Sequence, residues 1–393
     1  MSPHLPMRIV VDARSLDRHH SSAQSMRELI TRTASSGSIE WHLLTDRNDA
    51  PLDLPTTRGC EATTRKPHVA SVRGWEQWTL PRRAQVVRAD LLHAPSTAMP
   101  WWQPVPTVVT VQDDDLWRES SAVPPSFYRD RVWPSAYRRA AAIMTVSESS
   151  RAELLARWPA LQPRLHVVSP GIDDRFLDAQ PDRCPIVIGD RMVSGPYLLY
   201  VGSGNARKRV LWALQTWWGA SATSHVSLVV CGVDPAEHAN LTRLVPRNLL
   251  DRLILAPFLP AEEMPRLYMR ATAVLYPALY EAVGLPVIEA QAVGTPVLFS
   301  DVGGLSERQG PGAVVLPVDE LPAWVRTVNN LLTTQSTPHG PDRVANAWAR
   351  QYSWDAYIDR TLAVYAAALS TRPERQGRPR ATVTERETKR ASS

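Results

Sequence analysis

Apolar residues fall in short runs separated by segments of helical length. The first series is MRIVVDA (7–13), IEWHLLT (39–45), ADLLHAP (89–95), TVVTVQD (107–113), AAIMTVSE (141–148) and RLHVVSPG (164–171). Near-continuous apolar strands that alternate with helices predict a parallel sheet covered on both faces. After the polar stretch DDRFLDAQPDRCPIVIGDRMVSG the pattern restarts: PYLLYVGS (196–203), HVSLVVCG (225–232), RLILAPF (252–258), AVLYPA (273–278), TPVLFSD (295–301) and GAVVLP (312–317). The reading is an α/β chain of two doubly wound Rossmann-like domains, 1–180 and 190–350, joined by an irregular linker near 177–195. Ligand is expected at the carboxyl ends of the strands, in a central cleft between the two. A last amphipathic segment, SWDAYIDRTLAVYAAAL (353–369), must pack on something, so 351–370 is a separate helix. The remainder, 371–393, lacks apolar periodicity and reads as a disordered basic tail.

The length of 393 residues suits two domains with ample cores. Of the net charge of +5, the segment from Thr371 onward supplies seven basic and three acidic residues, a net of +4. The body is therefore almost neutral, which argues against a nucleic-acid partner. Cys60, Cys184 and Cys231 are odd in number and far apart, which fits a reducing cytoplasm and suggests neither a metal site nor a redox pair. No run approaches the ~18 apolar residues of a membrane span. The opening MSPHLPMRIVVDARS is too short in apolar residues for a signal peptide, and Met7, where the first strand begins, is an alternative start.

Candidate chemistry concentrates in two places. In YEAVGLPVIEAQAVGTPV (280–297), Glu281 and Glu289 stand in an otherwise apolar stretch. Pro286 suits the first position of a helix, which places Glu289 in the first turn and Glu281 in the preceding loop. The two carboxylates then bracket a helix N-terminus, which attracts anions such as phosphate. Solvated or capping carboxylates are the plainer alternative. In YLLYVGSGNARKRV (197–210), a strand ends in Gly202-Ser203-Gly204-Asn205 and delivers Arg207, Lys208 and Arg209 to a helix start. Small residues admit a ligand close to the backbone, and cations there oppose the helix dipole and so suggest an anionic partner.

Taken together, WEQWTLPRRAQVVRADLLHAP, VVTVQDDDLW, IMTVSESSRAEL, LHVVSPGIDDRF, VGSGNARKRV, LYPALYEAVGLPVIEAQAVGTPVLFSDVGGLSE and the helix after Trp354 resemble, in this order along the chain, glycosyltransferase family 4, retaining sugar transferases of the GT-B fold. The resemblance extends over most of the chain and implies a C-terminal helix that crosses back to the N-terminal domain. It implies a nucleotide-diphosphate sugar as co-substrate, bound by the C-terminal domain, and a glycan, lipid-linked or small-molecule acceptor on the N-terminal one. It also implies roles. Glu289 would hold the ribose hydroxyls and Glu281 the hydroxyls of the donor sugar. The amides of Val283, Gly284 and Leu285, with Gly202 and Ser203, would line the donor site. Lys208, supported by Arg207, would offset the charge on the departing diphosphate, so that neither cofactor nor metal is needed.

The chain departs from the family pattern at several points. Gln112-Asp113 stands where relatives carry histidine and aspartate, and glutamine cannot take a proton at neutral pH. The glycine pair after the first strand is missing, leaving Ser21 and Ser22 to keep side chains small there. Ala282-Val283 replaces Gly-Phe. Asp113-Asp114-Asp115 reads as an acidic strand end in preference to a metal site, and His19-His20 lack a third ligand. His93 and Ser96 are expected to line the acceptor cleft, and Trp101-Trp102 and Trp217-Trp218 remain unassigned. The segment 126–142, with Arg129, Arg131, Arg138 and Arg139, is either a solvated helix face or a peripheral contact with the inner face of a membrane. The expected activity is metal-independent transfer of a hexose, mannosyl or glucosyl. A non-catalytic sugar-nucleotide scaffold is the alternative, and an epimerase ranks last for want of an acid/base array.

Overall fold

The computed structural model describes residues 6–16, 21–45, 60–64, 72–112, 126–181, 186–189, 191–193, 195–257, 259–334 and 342–370. The first lobe is a parallel sheet of β1 (Met7–Asp12), β2 (Ile39–Thr45), β3 (Cys60–Thr64), β4 (Leu91–Ala94), β5 (Thr107–Val111), β6 (Ala142–Thr145) and β7 (Leu165–Val167), in the spatial order β3-β2-β1-β4-β5-β6-β7. All six predicted strands are present. The seventh, β3, was not foreseen, because CEATT carries no apolar run; it lies at the sheet edge, where backbone pairing to β2 needs none.

A hairpin of β8 (Ile186–Ile188) and β9 (Arg191–Val193) stands where the sequence reading has an irregular linker. Ile186, Ile188 and Val193 turn one face into the core of the second lobe, and Gly189 takes the left-handed conformation at the bend (φ 62°).

The second lobe is a parallel sheet in the order β12-β11-β10-β13-β14-β15, from β10 (Tyr197–Val201), β11 (Ser227–Cys231), β12 (Leu253–Ala256), β13 (Ala273–Tyr276), β14 (Val297–Ser300) and β15 (Ala313–Leu316). Successive residues of β10 feed opposite cores: Tyr197 and Leu199 pack on one face, Leu198 and Tyr200 on the other. In each sheet the strand order reverses beside its first strand, between β1 and β4 and between β10 and β13. Such switch points open a crevice at the carboxyl ends of the strands.

Helix Trp354–Ser370 returns to the first lobe, as expected. Trp354, Tyr357, Val364 and Tyr365 complete the core built on Ile9, Val11, Met26 and Trp41. The chain enters it through a parallel bridge of Ile172 with Ser353, and Gly171 leaves the room that Trp354 fills, since a Cβ there would lie 2.5 Å from the indole.

Candidate functional site

The turn after β10 and the loop after β13 flank the switch point of the second sheet, so the fold itself brings the two predicted motifs together. The Leu279 amide donates to the Arg207 carbonyl at 2.8 Å and fastens one to the other. Asn205 caps the short turn Ala206–Lys208 by accepting from the Arg207 amide at 3.0 Å. Arg209 follows in the left-handed conformation (φ 52°). That reversal separates the three cations. Arg209 leaves the crevice for the Val318 carbonyl (2.5 Å) and Asp319 (3.1 Å) and stacks on Trp212, while Arg207 and Lys208 turn toward Glu281.

Glu281 is the meeting point. One carboxylate oxygen accepts from the Lys208 ammonium, from Arg207 Nη1 at 3.3 Å and from the Tyr276 hydroxyl at 2.9 Å. The ammonium also donates to the Tyr276 oxygen, and Arg207 Nη1 reaches the Tyr280 carbonyl at 3.1 Å. Burial pushes the Glu281 carboxyl upward, but Lys208, Arg207 and Tyr276 together outweigh it and hold the group below the usual carboxylate range. Burial also pulls Lys208 below the usual lysine range, against the attraction of Glu281. The two partners thus pull in opposite senses. Arg207 and the Tyr276 phenol both favour the carboxylate form of Glu281.

Helix Leu285–Ala292 starts beside this cluster. Gly284 is its N-cap, in the left-handed conformation (φ 76°), and a Cβ there would stand 2.2 Å from a Leu305 methyl, so glycine is required on both counts. The first helical residue is Leu285 and Pro286 is the second, one later than expected. Glu289 consequently lies just beyond the first turn, which holds no acidic residue. It accepts from the Tyr268 hydroxyl at 2.7 Å. Its pKa is pushed up to about 7 by burial, against the Tyr268 hydrogen bond and with help from Asp173. Of the helix-start amides, Val287 and Ile288 donate to the Gly284 carbonyl (2.9 and 3.4 Å) and Pro286 has no N–H, while the dipole of the helix start favours an anion ahead of Leu285. Gly202 follows β10, its amide on the Cys231 carbonyl (2.9 Å), and the Ser203 carbonyl accepts from Tyr200 at 3.0 Å.

The acceptor-side predictions fare differently. His93 does not line a cleft. It is fully buried, one ring nitrogen on the Tyr365 hydroxyl (2.5 Å) and the other on Thr110 (2.8 Å), and burial lowers its pKa to about 3. This histidine is a neutral fastener between β4 and the crossing helix. Gln112 directly follows β5, half-buried, and Ser21 and Ser22 open helix Ser21–Ala34. Asp113 through Asp115 and His19-His20 lie outside the described residues. Among the described residues no three His, Cys, Asp or Glu side chains cluster as metal ligands would, and no helix is long and apolar enough to cross a membrane. Trp217 is buried, its indole N–H on the Val226 carbonyl at 2.9 Å, so it is a packing residue.

Tyr276, Tyr268, Glu307 and Arg308 were not singled out from the sequence. The tyrosines sit in apolar runs where nothing distinguishes them from core aromatics, although a buried phenol must find a partner.

Two family profiles divide the chain. "Glycosyltransferase Family 4" matches residues 22–176 and "Glycosyl transferases group 1" matches residues 195–334. The chain belongs to glycosyltransferase family 4. O-antigen chain mannosyltransferase B of Escherichia coli is 27% identical over 227 residues, which cover 57% of this chain and 60% of the relative. D-inositol 3-phosphate glycosyltransferase of Salinispora tropica is 30% identical over 242 residues, 57% of this chain and 50% of the relative. The matched region thus spans only a half to three-fifths of those relatives. Among solved structures, Anabaena HepE in complex with UDP and glucose superposes with a TM-score of 0.66 at 14% identity, covering 92% of this chain and 100% of that one. The two lobes therefore have the GT-B fold of this family.

Proposed function

We propose that the protein is a retaining glycosyltransferase that moves a hexose from a nucleotide-diphosphate sugar to a glycan, lipid-linked or small-molecule acceptor. The observation that carries this reading is the convergence of the Lys208 ammonium and the Arg207 guanidinium on Glu281, beside the start of helix Leu285–Ala292 at the switch point. The Glu281 carboxylate engages both cations. The diphosphate would take its place alongside Lys208, Arg207 and the helix-start amides, freeing Glu281 for the hydroxyls of the sugar. Glu289, held by Tyr268, would accept from the ribose hydroxyls.

In the reaction the bond from the anomeric carbon to the diphosphate oxygen breaks and a bond to the acceptor oxygen forms on the same face. The acceptor proton leaves with the diphosphate. Negative charge grows on the leaving oxygen, and Lys208 and Arg207 are fixed where it grows. A lysine, an arginine and a helix start supply that stabilisation without a metal ion. Because the diphosphate takes the proton, Gln112, directly after β5, need not act as a base. The relative named for mannosyl transfer and the neighbour bound to UDP and glucose support a hexose donor.

The test is nucleotide release from a panel of nucleotide sugars, with and without candidate acceptors. Turnover that collapses in Glu289→Ala or Lys208→Met while the chain still folds cooperatively supports transfer. Tight binding without release under every condition would leave the scaffold reading in its place.

A further inference from the structure

Adjacent residues of opposite charge reach from the second lobe into the first. Glu307 ends the short turn Gly303–Glu307 after β14, and its carboxylate accepts from the amides of Glu148 (3.0 Å) and Ser149 (2.6 Å) at the start of helix Glu148–Arg157. Arg308, only 3% exposed, donates from Nε to the Val283 carbonyl (3.0 Å), from Nη1 to the Tyr352 hydroxyl (3.0 Å) and from Nη2 to Ser169 Oγ (3.3 Å). Among the described residues no carboxylate pairs with it. A guanidinium buried among neutral acceptors is costly, and an apolar side chain of similar volume would serve stability as well or better. Its three bonds nevertheless go to three different places: the donor loop, the segment that leads into the crossing helix, and the first lobe.

The turn that carries this pair is also wedged against the donor loop. The Gly304 amide donates to the Glu281 carbonyl at 2.8 Å, and a Cβ on Gly304 would lie 2.0 Å from the Ala282 oxygen. Leu305 fills the space above Gly284. Any movement of the turn is therefore passed to Glu281 and to the helix start, with almost no slack.

We propose that Glu307 and Arg308 are positioning residues that tie the seating of the first lobe to the shape of loop 281–284. The helix Glu148–Arg157 and Ser169 hold one end of the bracket, and the Val283 carbonyl holds the other. Donor-loop geometry then depends on how the lobes are docked, through contacts that touch neither substrate. The inference rests on the transfer reading for its kinetic arm only.

Hydrogen–deuterium exchange on the full chain, run beside steady-state kinetics, tests it. Glu307→Ala should speed exchange at residues 148–150 and also, in the other lobe, at 281–285, by about tenfold, the size of one lost charge-assisted hydrogen bond. kcat should fall about tenfold while nucleotide Kd moves less than about threefold, because the loop is mispositioned rather than lost. Arg308→Lys, which keeps the charge and one donor, should retain more turnover than Arg308→Met. Faster exchange confined to 148–150, or kcat unchanged in Glu307→Ala, overturns the coupling. Should Glu307→Ala fail to fold, Ser169→Ala removes one of the three acceptors of the Arg308 guanidinium and must show the same two-lobe pattern at smaller size; its absence has the same force. A wild-type chain that releases no nucleotide from any donor refutes transfer, and the exchange experiment still decides the bracket.

Discussion

Replacing Lys208 with methionine keeps most of the side-chain volume and deletes only the ammonium. The lysine and Glu281 side chains are 15% and 12% exposed, so solvent screens their interaction little. Removing one partner of a buried pair generally costs about 3–5 kcal/mol, because the other charge is stranded. Here Glu281 keeps Arg207 at 3.3 Å and the Tyr276 hydroxyl at 2.9 Å, which places the loss at the low end, about 3 kcal/mol. At ~2–4 °C per kcal/mol for chains of 150–250 residues, the melting temperature should drop by about 6–12 °C, or somewhat less for this longer chain. Turnover should fall by about 10²–10³, as when one preorganised donor to a developing oxyanion is removed. The decisive comparison is the double variant Lys208→Met/Glu281→Gln, followed by calorimetry and by nucleotide release. Neutralising both partners should return most of the lost stability and none of the turnover. Recovery of turnover in the double variant, or full activity in Lys208→Met, would refute the assignment of this lysine to the leaving group.

Three further outcomes are expected. Glu289 has a folded pKa of about 7 against an ordinary 4.5, so its contribution to nucleotide-free stability is complete below about pH 4.5 and is lost as pH rises through about 7. Ribose hydroxyls need the carboxylate, so nucleotide affinity should rise over that same upper range with proton uptake by buffer; calorimetry showing a flat profile would remove Glu289 from the ribose. Tyr276→Phe deletes one hydroxyl shared by Lys208 and Glu281 and should cost about 1.5–3 kcal/mol of stability, with kcat reduced more than donor KM, as differential scanning and initial rates would show. His93→Ala should lower the melting temperature, by about 2–5 kcal/mol of lost packing and hydrogen bonding, yet leave nucleotide affinity unchanged in titration calorimetry. Weakened nucleotide binding would restore His93 to the cleft.

The parts of this molecule that could be read from its sequence are those that depend on local periodicity. Apolar strands buried on both faces announced themselves, and the glycine turn and the Gly-Leu-Pro helix start marked the two loops that meet at the switch point. Elements without a continuous apolar run were invisible. The polar edge strand Cys60–Thr64 has no pattern to show, and the hairpin at 186–193 hides its three inward residues among charges. Partnership across the fold was equally hidden. His93 looked like a cleft residue because it sits near a strand's carboxyl end, but Tyr365, distant in sequence, closes over it. Arg209 is indistinguishable in composition from its two neighbours, and only the left-handed backbone at that position turns it away. Glu289 was expected in the first turn of its helix, but that helix begins one residue earlier, at Leu285, so the carboxylate lies just beyond the first turn.

The His93–Tyr365 contact joins residues 272 positions apart, and Trp354 fills the space left at Gly171. A ribosome therefore finishes the half it makes second before the half it makes first can close. Until the last helix emerges, the N-terminal sheet has an open apolar seam at Ile9, Val11 and Met26. A chain truncated before residue 354 should keep a folded second lobe and expose a sticky, incomplete first lobe, which makes the C-terminal helix the step that commits the nascent chain to its final shape.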